Sequence, residues 1–497
     1  MASSGPPEMG VGITGFVERH GLYTADQRAA CDRLSDLIRE HDLRTVRLVV
    51  VDQHGLTRSR SMSPEAFLSA TRNGADCSGA IYSLDASGGV FPPPFAAGGG
   101  FGIPEFTGFP DVVLVPDPAT FRVLPWADRA GWVLCDVYFA SGKPVPLDPR
   151  RILRGQLTAA DELGYGYVAG LEVEFSVVVL ESGRIEPDGT GMPAPAPAVR
   201  PFEAGYQFLS ENRLAYGDDA LVALRDALWD VGLPPRSLEK EWGPGQIEIS
   251  FPPMAGMAAA DAMILFKGAA KQVLRRRGLL ATFMSWPALP NFFPNGWHLH
   301  ESLALTDGRN AFTSADGPLS DVARQYAAGI LEHARAMTPL TTPTINGLRR
   351  YRPYSFAPDR VCWAMENRGV MLRGQGEPGD NGAHLENRLG EPAANPYFYM
   401  AASLTAGLDG IRRGLAPPEA VEGDPYVVDG LPMLPTTMRE AIETLDTDGF
   451  YRAAFGKELV DYLVLMKRAE LGRFEDAGHG TSEIVTTWEM DEYLETF

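Results

Sequence analysis

The chain has 497 residues, of which 45% are hydrophobic, so it can bury a large core and form more than one domain. Its formal net charge of -20 argues against a nucleic-acid partner, which would require a basic surface, and against binding to anionic membranes. This composition suits an acidic enzyme that uses divalent cations.

The cysteines and the first residues indicate a reducing compartment. Cys31, Cys77, Cys135 and Cys362 are far apart and show no CxxC spacing, so neither a zinc site nor a disulfide framework is indicated. Residues 1–7 lack the basic and apolar regions of a signal peptide, and no later window reaches the length of a transmembrane helix. We therefore expect a cytoplasmic protein without nucleic-acid or membrane partners.

The first part of the chain is predicted to form a small domain rich in strands. The apolar spacing predicts a helix over residues 25–42, and β-branched residues predict strands at 46–52, 111–116 and 132–138. Residues 144–149 look like a linker. We therefore divide the chain into a domain at 1–145 and a second domain at 146–497.

The second part alternates helices with strands, which indicates an α+β fold. Helical periodicity covers residues 151–163, 218–231 and 258–277, and the last two of these segments are followed by strand-like sequence. Amphipathic helices return in the tail, from 438 to 471.

Pairs of acidic residues stand out in two apolar segments. Glu172 and Glu174 are two residues apart in a strand-like run, so both side chains lie on one face and need compensating charge. A Gly-Pro-Gly turn separates Glu241 from Glu248 and can bring them to one point. Each pair by itself is equally compatible with a structural ion pair or a solvated hairpin.

Two further strand-like segments repeat this i, i+2 pattern with other groups. His298 and His300 share one strand face, although a single histidine is more often a hydrogen-bonded core residue than a ligand. Glu386 and Arg388 share another face. Taken together, the glutamates and His298 supply hard oxygen ligands plus an imidazole, which suits a pair of Mg²⁺ or Mn²⁺ ions.

Paired hard cations commonly serve nucleotide phosphates. The chain has no GxxxxGK[ST] motif, so metals and arginines would have to hold the phosphates. Arginines, whose planar forks match phosphate and carboxylate groups, are concentrated downstream. They are Arg349, Arg350, Arg368, Arg373 and Arg388.

These ordered motifs resemble those of the glutamine synthetase family, from about residue 44 to residue 471. The matching blocks are 172–175, 241–248, 296–302, 342–350, 367–368 and 386–397. The resemblance implies an N-terminal β-grasp domain followed by a large catalytic domain with a strand-lined active-site funnel. It also implies stacked rings, as in a dodecamer, with active sites between neighbouring subunits.

The resemblance also implies roles for individual residues. Glu174, Glu241 and Glu248 would bind a first metal ion, and Glu172, His298 and Glu386 would bind a second. The nucleotide would contact His300, Ser302, Arg368 and Arg373, and the amino acid would contact Glu174, Arg350 and Arg388. Asp52, Arg368 and Arg388 would act in catalysis, with Asp52 reaching into a neighbouring subunit.

The implied reaction has two steps. ATP phosphorylates the γ-carboxylate of glutamate, and an amine then attacks the acyl phosphate to form an amide. Because a carboxylate is a poor electrophile and both reactants are anions, such a reaction needs charge neutralisation by metals and arginines.

The chain departs from the family pattern around the amine. Residues 293–296 read Phe-Pro-Asn-Gly where the family has Asn-Gly-Ser-Gly, Phe356 replaces a glutamate that helps to deprotonate ammonium, and His384 replaces an arginine near the nucleotide. We therefore predict an apolar amine pocket made of Phe293, Trp297, Tyr354 and Phe356, suited to an organic amine such as an aniline. This resembles the γ-glutamylanilide and γ-glutamylalkylamide ligases of the family. The alternatives are ammonium-dependent glutamine synthesis, ligation of a polyamine or ethanolamine, and a non-catalytic structural or regulatory role.

Overall fold

The computed structural model describes residues 14–92, 95, 100–181, 187–215 and 217–497. Residues 1–7, for which the sequence predicts no signal peptide, lie outside this range. The contacts divide the chain into two compact units. The first comprises residues 1–50, 59–78 and 111–145, and the second comprises 51–58, 79–110 and 146–497. The last boundary between the units lies at residues 145 and 146, and two earlier segments group with the second unit. The division into domains at 1–145 and 146–497 stays a prediction.

The first unit is built on a twisted sheet. Its strands lie in the order β2-β1-β6-β4-β3, with β5 beside β6, and β1 runs parallel to β6. The strands are β1 (Thr45–Val51), β2 (Thr57–Met62), β3 (Ala75–Ser78), β4 (Asp111–Pro116), β5 (Arg122–Val123) and β6 (Ala130–Tyr138). The helices are α1 (Phe16–Arg19), α2 (Ala25–Glu40) and α3 (Pro64–Asn73).

Local sequence explains these elements. Helix α2 begins at a capping box in which Thr24 and Gln27 satisfy each other's backbone N–H groups, and it buries Ala30, Leu34 and Ile38. The helix predicted at 25–42 and the strands predicted at 46–52, 111–116 and 132–138 are all present within one or two residues.

The second unit is organised around a larger, mostly antiparallel sheet. Its order is β14-β15-β16-β13-β7-β10-β9, and β8, β11 and β12 also pair with the long strand β7. The strands are β7 (Tyr165–Leu180), β8 (Val199–Pro201), β9 (Ser237–Lys240), β10 (Gln246–Ser250), β11 (Met254–Ala255), β12 (Leu279–Thr282), β13 (Trp297–Leu305), β14 (Trp363–Met365), β15 (Leu372–Gln375) and β16 (His384–Asn387).

Helices complete the second unit. They are α4 (Pro149–Asp161), α5 (Glu211–Leu214), α6 (Asp218–Asp230), α7 (Ala258–Arg275), α8 (Asp321–Thr341), α9 (Ile345–Leu348), α10 (Pro396–Arg413), α11 (Met438–Thr447), α12 (Gly449–Phe455), α13 (Lys457–Asp476) and α14 (Thr487–Tyr493). Helices α8 and α10 cross with backbones in contact, since a Cβ on Gly329 or Gly410 would lie 2.0 Å from a backbone oxygen of the other helix. Strands and helices are thus mixed, as predicted. No helix in the described part of the chain is long and apolar enough to span a membrane.

Strand β7 has two different faces, and this difference positions the site. Leu171, Val173 and Phe175 are buried, and the Phe175 ring packs on Phe266 of α7 and on Phe283, with centroids 5.7 Å and 5.4 Å away. The alternate residues, including Glu172 and Glu174, are only partly buried. Because side chains alternate along a strand, the apolar residues hold the sheet to the helices and the acids point the other way.

Candidate active site

The register of the sheet brings the charged side chains together. Glu172 on β7 pairs with His298 on β13, and Glu174 pairs with Glu248 on β10. On the other side of β13, His300 pairs with Glu386 of β16. Directly paired residues have neighbouring side chains, so four strands supply one cluster. We call Glu172, Glu174, Glu241, Glu248, His298, His300 and Glu386 the charged centre.

The tightest contacts of the charged centre surround Glu172. His298 Nδ1 lies 2.7 Å from Glu172 Oε1 and 3.6 Å from Glu386 Oε1, while His300 Nε2 lies 3.1 Å from Glu172 Oε2. Ligand atoms lie within 4.8 Å of one another in two sets, Glu172 with His300 and Glu386, and Glu172 with Glu248 and His298. Glu172 therefore belongs to both sets, and His300 joins one of them. This grouping differs from the predicted one.

Glu174 and Glu241 lie at the other end of the charged centre and are held by backbone N–H groups and one side-chain amide. Gly296 N and Gln246 Nε2 donate to Glu174 Oε2, at 2.7 Å and 3.2 Å, and Trp242 N donates to Glu241 Oε2 at 3.2 Å. The Gly-Pro-Gly turn permits this arrangement, because a Cβ on Gly245 (φ +66°) would lie 2.3 Å from Val177 O.

The electrostatics of these acids fall into two classes. Burial, reinforced by the other carboxylates, raises the pKa of Glu174 to about 7 and that of Glu241 to about 8, and it also raises the pKa of Glu248. Burial opposes ionisation of Glu386 too, but Arg388, His298 and His300 lower its pKa to about 2. Hydrogen bonds from both histidines likewise hold the pKa of Glu172 far below its usual value despite burial.

This donor set fits a divalent cation. Clustered carboxylates repel one another when ionised, so they must bind protons or a metal ion. Oxygen ligands with one or two imidazoles suit Mg²⁺ or Mn²⁺.

Three arginines border the charged centre. Arg373 Nη1 donates to Glu386 Oε2 at 3.0 Å, Arg388 contacts the other oxygen of Glu386, and Arg350 Nη1 donates to Gly390 O at 2.6 Å. All three are at least 90% buried. The Nε atoms of Arg373 and Arg388 have no hydrogen-bond partner among the described residues. Buried donors of this kind can receive an anionic substrate.

Arg368, predicted to contact phosphate, lies elsewhere. It is exposed and lines a cleft of about 610 Å³ together with its neighbours in the 365–368 turn and the 420–423 segment. Its predicted role therefore stays a prediction.

A second cleft, of about 600 Å³, opens beside Glu172 and His300. Ser302, predicted as a nucleotide contact, lines this cleft. So do several polar residues that sequence reasoning missed, namely Arg236, Ser250, Gln375 and Asn381. No motif marks them, because strand pairing alone brings them in, as when Arg236 N donates to Ser250 O at 2.7 Å.

His384 also lines this cleft, and its side chain lies within hydrogen-bonding distance of His300. His300 Nδ1 lies 3.0 Å from His384 Nε2, which also lies 3.1 Å from Gln375 Oε1. At that distance one histidine nitrogen donates and the other accepts, so at least one of the two rings presents a neutral nitrogen. His384, which stands where the family has an arginine, is thus a hydrogen-bonding side chain that does not carry a permanent positive charge.

The four residues of the predicted amine pocket lie in different surroundings. Trp297 is completely buried and packs edge-on against Tyr399, with centroids 4.9 Å apart, so its placement in the pocket was wrong. The reason is strand alternation, which turns Trp297 to the face opposite His298. Tyr354 and Phe356 are exposed, at 68% and 69%, and Phe356 O accepts a 3.4 Å hydrogen bond from Arg388.

Phe293 belongs to an aromatic group that sequence reasoning did not assemble. Its ring centroid lies 5.8 Å from Tyr206 and 6.3 Å from Trp242, and those two rings are 6.1 Å apart. We call Tyr206, Trp242 and Phe293 the aromatic corner. Trp242 directly follows Glu241, and this adjacency is the signal that could have indicated it.

Asp52 is not presented at the surface. Its side chain is fully buried, Oδ1 accepts hydrogen bonds from His54 N and Leu56 N at 2.9 Å and 3.0 Å, and Arg58 Nε donates to Oδ2 at 2.8 Å. These bonds stabilise the turn after β1. Contact with a neighbouring subunit would require Asp52 to leave these partners.

Comparisons with known proteins show which proteins this chain is similar to. Residues 146–493 match the model of the glutamine synthetase catalytic domain. The chain is 41% identical to a γ-glutamylanilide synthase of Acinetobacter sp over 96% of its own length and 98% of the relative. It is 30% identical to a glutamate–isopropylamine ligase of Pseudomonas sp, covering 93% and 97% of the two chains. The solved structure of apo GmaS without ligand superposes with a TM-score of 0.74 at 28% identity, covering 92% of this chain and 98% of that one.

Proposed function

Because the chain belongs to the glutamine synthetase family, we propose that it is an ATP-dependent ligase that joins the γ-carboxyl group of glutamate to an organic amine. An aromatic amine of the aniline type is the favoured class. The observation that carries this proposal is a complete charged centre beside a group of exposed aromatic rings. The similarity to a γ-glutamylanilide synthase supports the same conclusion.

The charged side chains suit transfer of a phosphoryl group between two anions. Glu172, Glu248, His298 and Glu386 would hold Mg²⁺ or Mn²⁺, with Glu174 and Glu241 completing the two predicted ligand sets. A bound divalent ion would neutralise phosphate charge. Arg350 and Arg388 would position the glutamate carboxylates, and their burial would strengthen each ion pair by excluding water.

The cleft beside His300 is the proposed nucleotide site. Its volume of about 600 Å³ and its polar lining suit a nucleotide, with His300 and Ser302 as contacts. Arg373 would approach the phosphates from Glu386, and Arg368 would do so only if its turn moved inward.

The amine end of the site favours a neutral nucleophile. Phe356 can neither attract a cation by charge nor accept a proton. An aniline is weakly basic and mostly neutral near pH 7, so it can attack the acyl phosphate without first losing a proton to a carboxylate. The new C–N bond then forms as the C–O bond to phosphate breaks, and the nitrogen loses one proton, which the departing phosphate can accept.

A panel of amines tests this function directly. The purified chain would be incubated with ATP, glutamate and Mg²⁺ or Mn²⁺, and with aniline, isopropylamine, ethanolamine, putrescine or ammonium. We expect aniline to give the highest rate of phosphate release and a γ-glutamyl amide of the matching mass. Higher activity with ammonium or putrescine would refute the aromatic preference, and silence with every amine would favour a structural or regulatory role.

Ring assembly is the remaining part of the proposal. We infer stacked rings, with Asp52 contributing to a neighbouring site, from the family alone, and a cytoplasmic location stays a prediction. Native mass spectrometry of the purified protein tests the ring assembly, because a monomer or dimer as the active species would refute it.

A further inference from the structure

We propose that the aromatic corner is the subsite that receives the ring of the amine and selects aromatic amines over small alkylamines. This inference rests on the proposed function and names the residues that determine its specificity. It replaces the pocket predicted from sequence, because Trp242 and Tyr206 take the place of the buried Trp297.

The geometry of the corner leaves ring surface available. The interplanar angles are 83° for Tyr206 with Trp242, 83° for Tyr206 with Phe293 and 75° for Trp242 with Phe293. Tyr206 is 47% exposed and Trp242 is 42% exposed, whereas most large aromatic residues of this chain are buried. Edge-to-face and offset contacts at 4.5–7 Å are favourable for aromatic pairs, so a fourth ring can pack against these faces.

One glutamine side chain fixes the corner to the charged centre. Gln246 Oε1 accepts a hydrogen bond from Gly243 N at 2.8 Å, and its Nε2 donates to Pro294 O and to Glu174 Oε2, both at 3.2 Å. Gly243 and Pro294 directly follow Trp242 and Phe293 in the chain. Two of the three loops of the corner, those that carry Trp242 and Phe293, are therefore held beside Glu174.

The corner and the nucleotide cleft lie toward different ends of the charged centre. His300, which lines the cleft, contacts Glu172, whereas the loops of the corner contact Glu174. Two residues of a strand span about 7 Å, so the two regions are offset along β7. If phosphoryl transfer takes place in the space between Glu172 and Glu174, the nucleotide lies on one side of the reacting groups and the amine lies on the other.

The backbone of the corner is built to hold these rings in place. Tyr206 N donates to Trp242 O at 2.7 Å, and Tyr206 Oη donates to Asn291 O at 3.3 Å. The rings are therefore fixed before the amine arrives, which lowers the entropy cost of binding. A small alkylamine has no ring to place on these faces and gains little from them.

Steady-state kinetics of Trp242→Ala, Trp242→Phe and Phe293→Leu test the inference, with aniline and ethylamine as amines. We expect Trp242→Ala to raise the KM for aniline about tenfold, as expected for the loss of an aromatic pair with its buried area. The KM values for ethylamine, glutamate and ATP should change less than about twofold. Trp242→Phe should keep most of the aniline preference, because it keeps a ring.

Trp229→Ala is the matched control, because Trp229 on α6 is also exposed, at 63%, but lies outside the corner. Equal losses for aniline and ethylamine in Trp242→Ala and Phe293→Leu would overturn the inference, since they would indicate a structural role. An unchanged KM for aniline would overturn it as well. Wild-type activity with alkylamines only would also overturn it while leaving the ligase function intact, whereas a wild type that forms no amide at all would refute the proposed function itself.

Discussion

The charged centre and the aromatic corner adjoin the same stretch of β7 but are organised in opposite ways. In the charged centre, Glu386 is 1% exposed and His298 is 8% exposed. The two side chains contact each other, with His298 Nδ1 3.6 Å from Glu386 Oε1. In the corner, the rings mainly touch one another and remain open. Transfer of a phosphoryl group between anions requires charged side chains that are fixed in place and shielded from water. Selection of an apolar substrate instead requires exposed apolar surface on which the substrate can pack.

The two regions share Gln246 as a physical link. Its amide joins the Trp242 and Phe293 loops of the corner to Glu174. A change in the charged centre should therefore affect every amine, a change in the corner should affect only some amines, and a change at Gln246 should affect both properties.

The largest effect is expected for Glu248→Ala, which removes a carboxylate from the charged centre. We expect kcat to fall at least about a hundredfold for every amine, because divalent-ion binding supplies several kcal/mol to phosphoryl transfer. Phosphate release with aniline and with ethylamine measures this. Glu181→Ala, an exposed glutamate just beyond β7, is the control and should retain full activity. A loss of activity confined to one amine would contradict the expectation that the charged centre acts on every amine.

Gln246→Ala tests the link between the regions. Removing hydrogen bonds to a buried carboxylate and to two loops costs about 1–3 kcal/mol, so kcat/KM should fall roughly 10- to 100-fold for all amines. The ratio of aniline to ethylamine activity should fall as well, since the loops lose their anchor. Gln207→Ala, at an exposed glutamine, serves as the control. An unchanged ratio would show that the corner is held without Gln246.

Phe356→Glu tests whether the aromatic corner alone determines the preference for aniline over ethylamine. A carboxylate beside Arg388 should attract a cationic amine, so the preference for aniline over ethylamine should drop about tenfold. Phe356→Gln has similar polarity without the charge and should cause a smaller change. If Phe356→Glu left the preference unaltered, selection would rest with the corner.

The smallest effect concerns pH and divalent ions in the charged centre. Because burial raises the pKa of Glu174 to about 7 and that of Glu241 to about 8, protons compete with the metal ion below those values. The increase in Tm caused by Mn²⁺ should therefore be larger at pH 8 than at pH 6, by about 1 to 3 °C. Subtracting the Tm measured without metal at each pH removes the effects of remote groups. A shift independent of pH would mean that these carboxylates hold no proton.

Sequence patterns predicted much of the fold and the composition of the charged centre. Alternation along strands correctly placed Glu172 with Glu174 and His298 with His300, because the period of two follows from backbone geometry alone. The same rule places Trp297 on the opposite face, so its assignment to the pocket conflicted with the pattern that located His298. The roles assigned to Asp52 and Arg368 stay predictions, since those side chains lie in their own turn and in a separate cleft.

The sequence by itself determined which chemical groups the protein would use and which of them share a strand face, since these depend on residue type and local backbone period. Only the tertiary structure decided which strands are neighbours, and hence that Glu172 belongs to both groups of side chains that could hold a metal ion and that His300 joins one. It also brought Tyr206, Trp242 and Phe293 together from three separate loops. Contacts between loops depend on the packing of the whole sheet, and no local pattern records them.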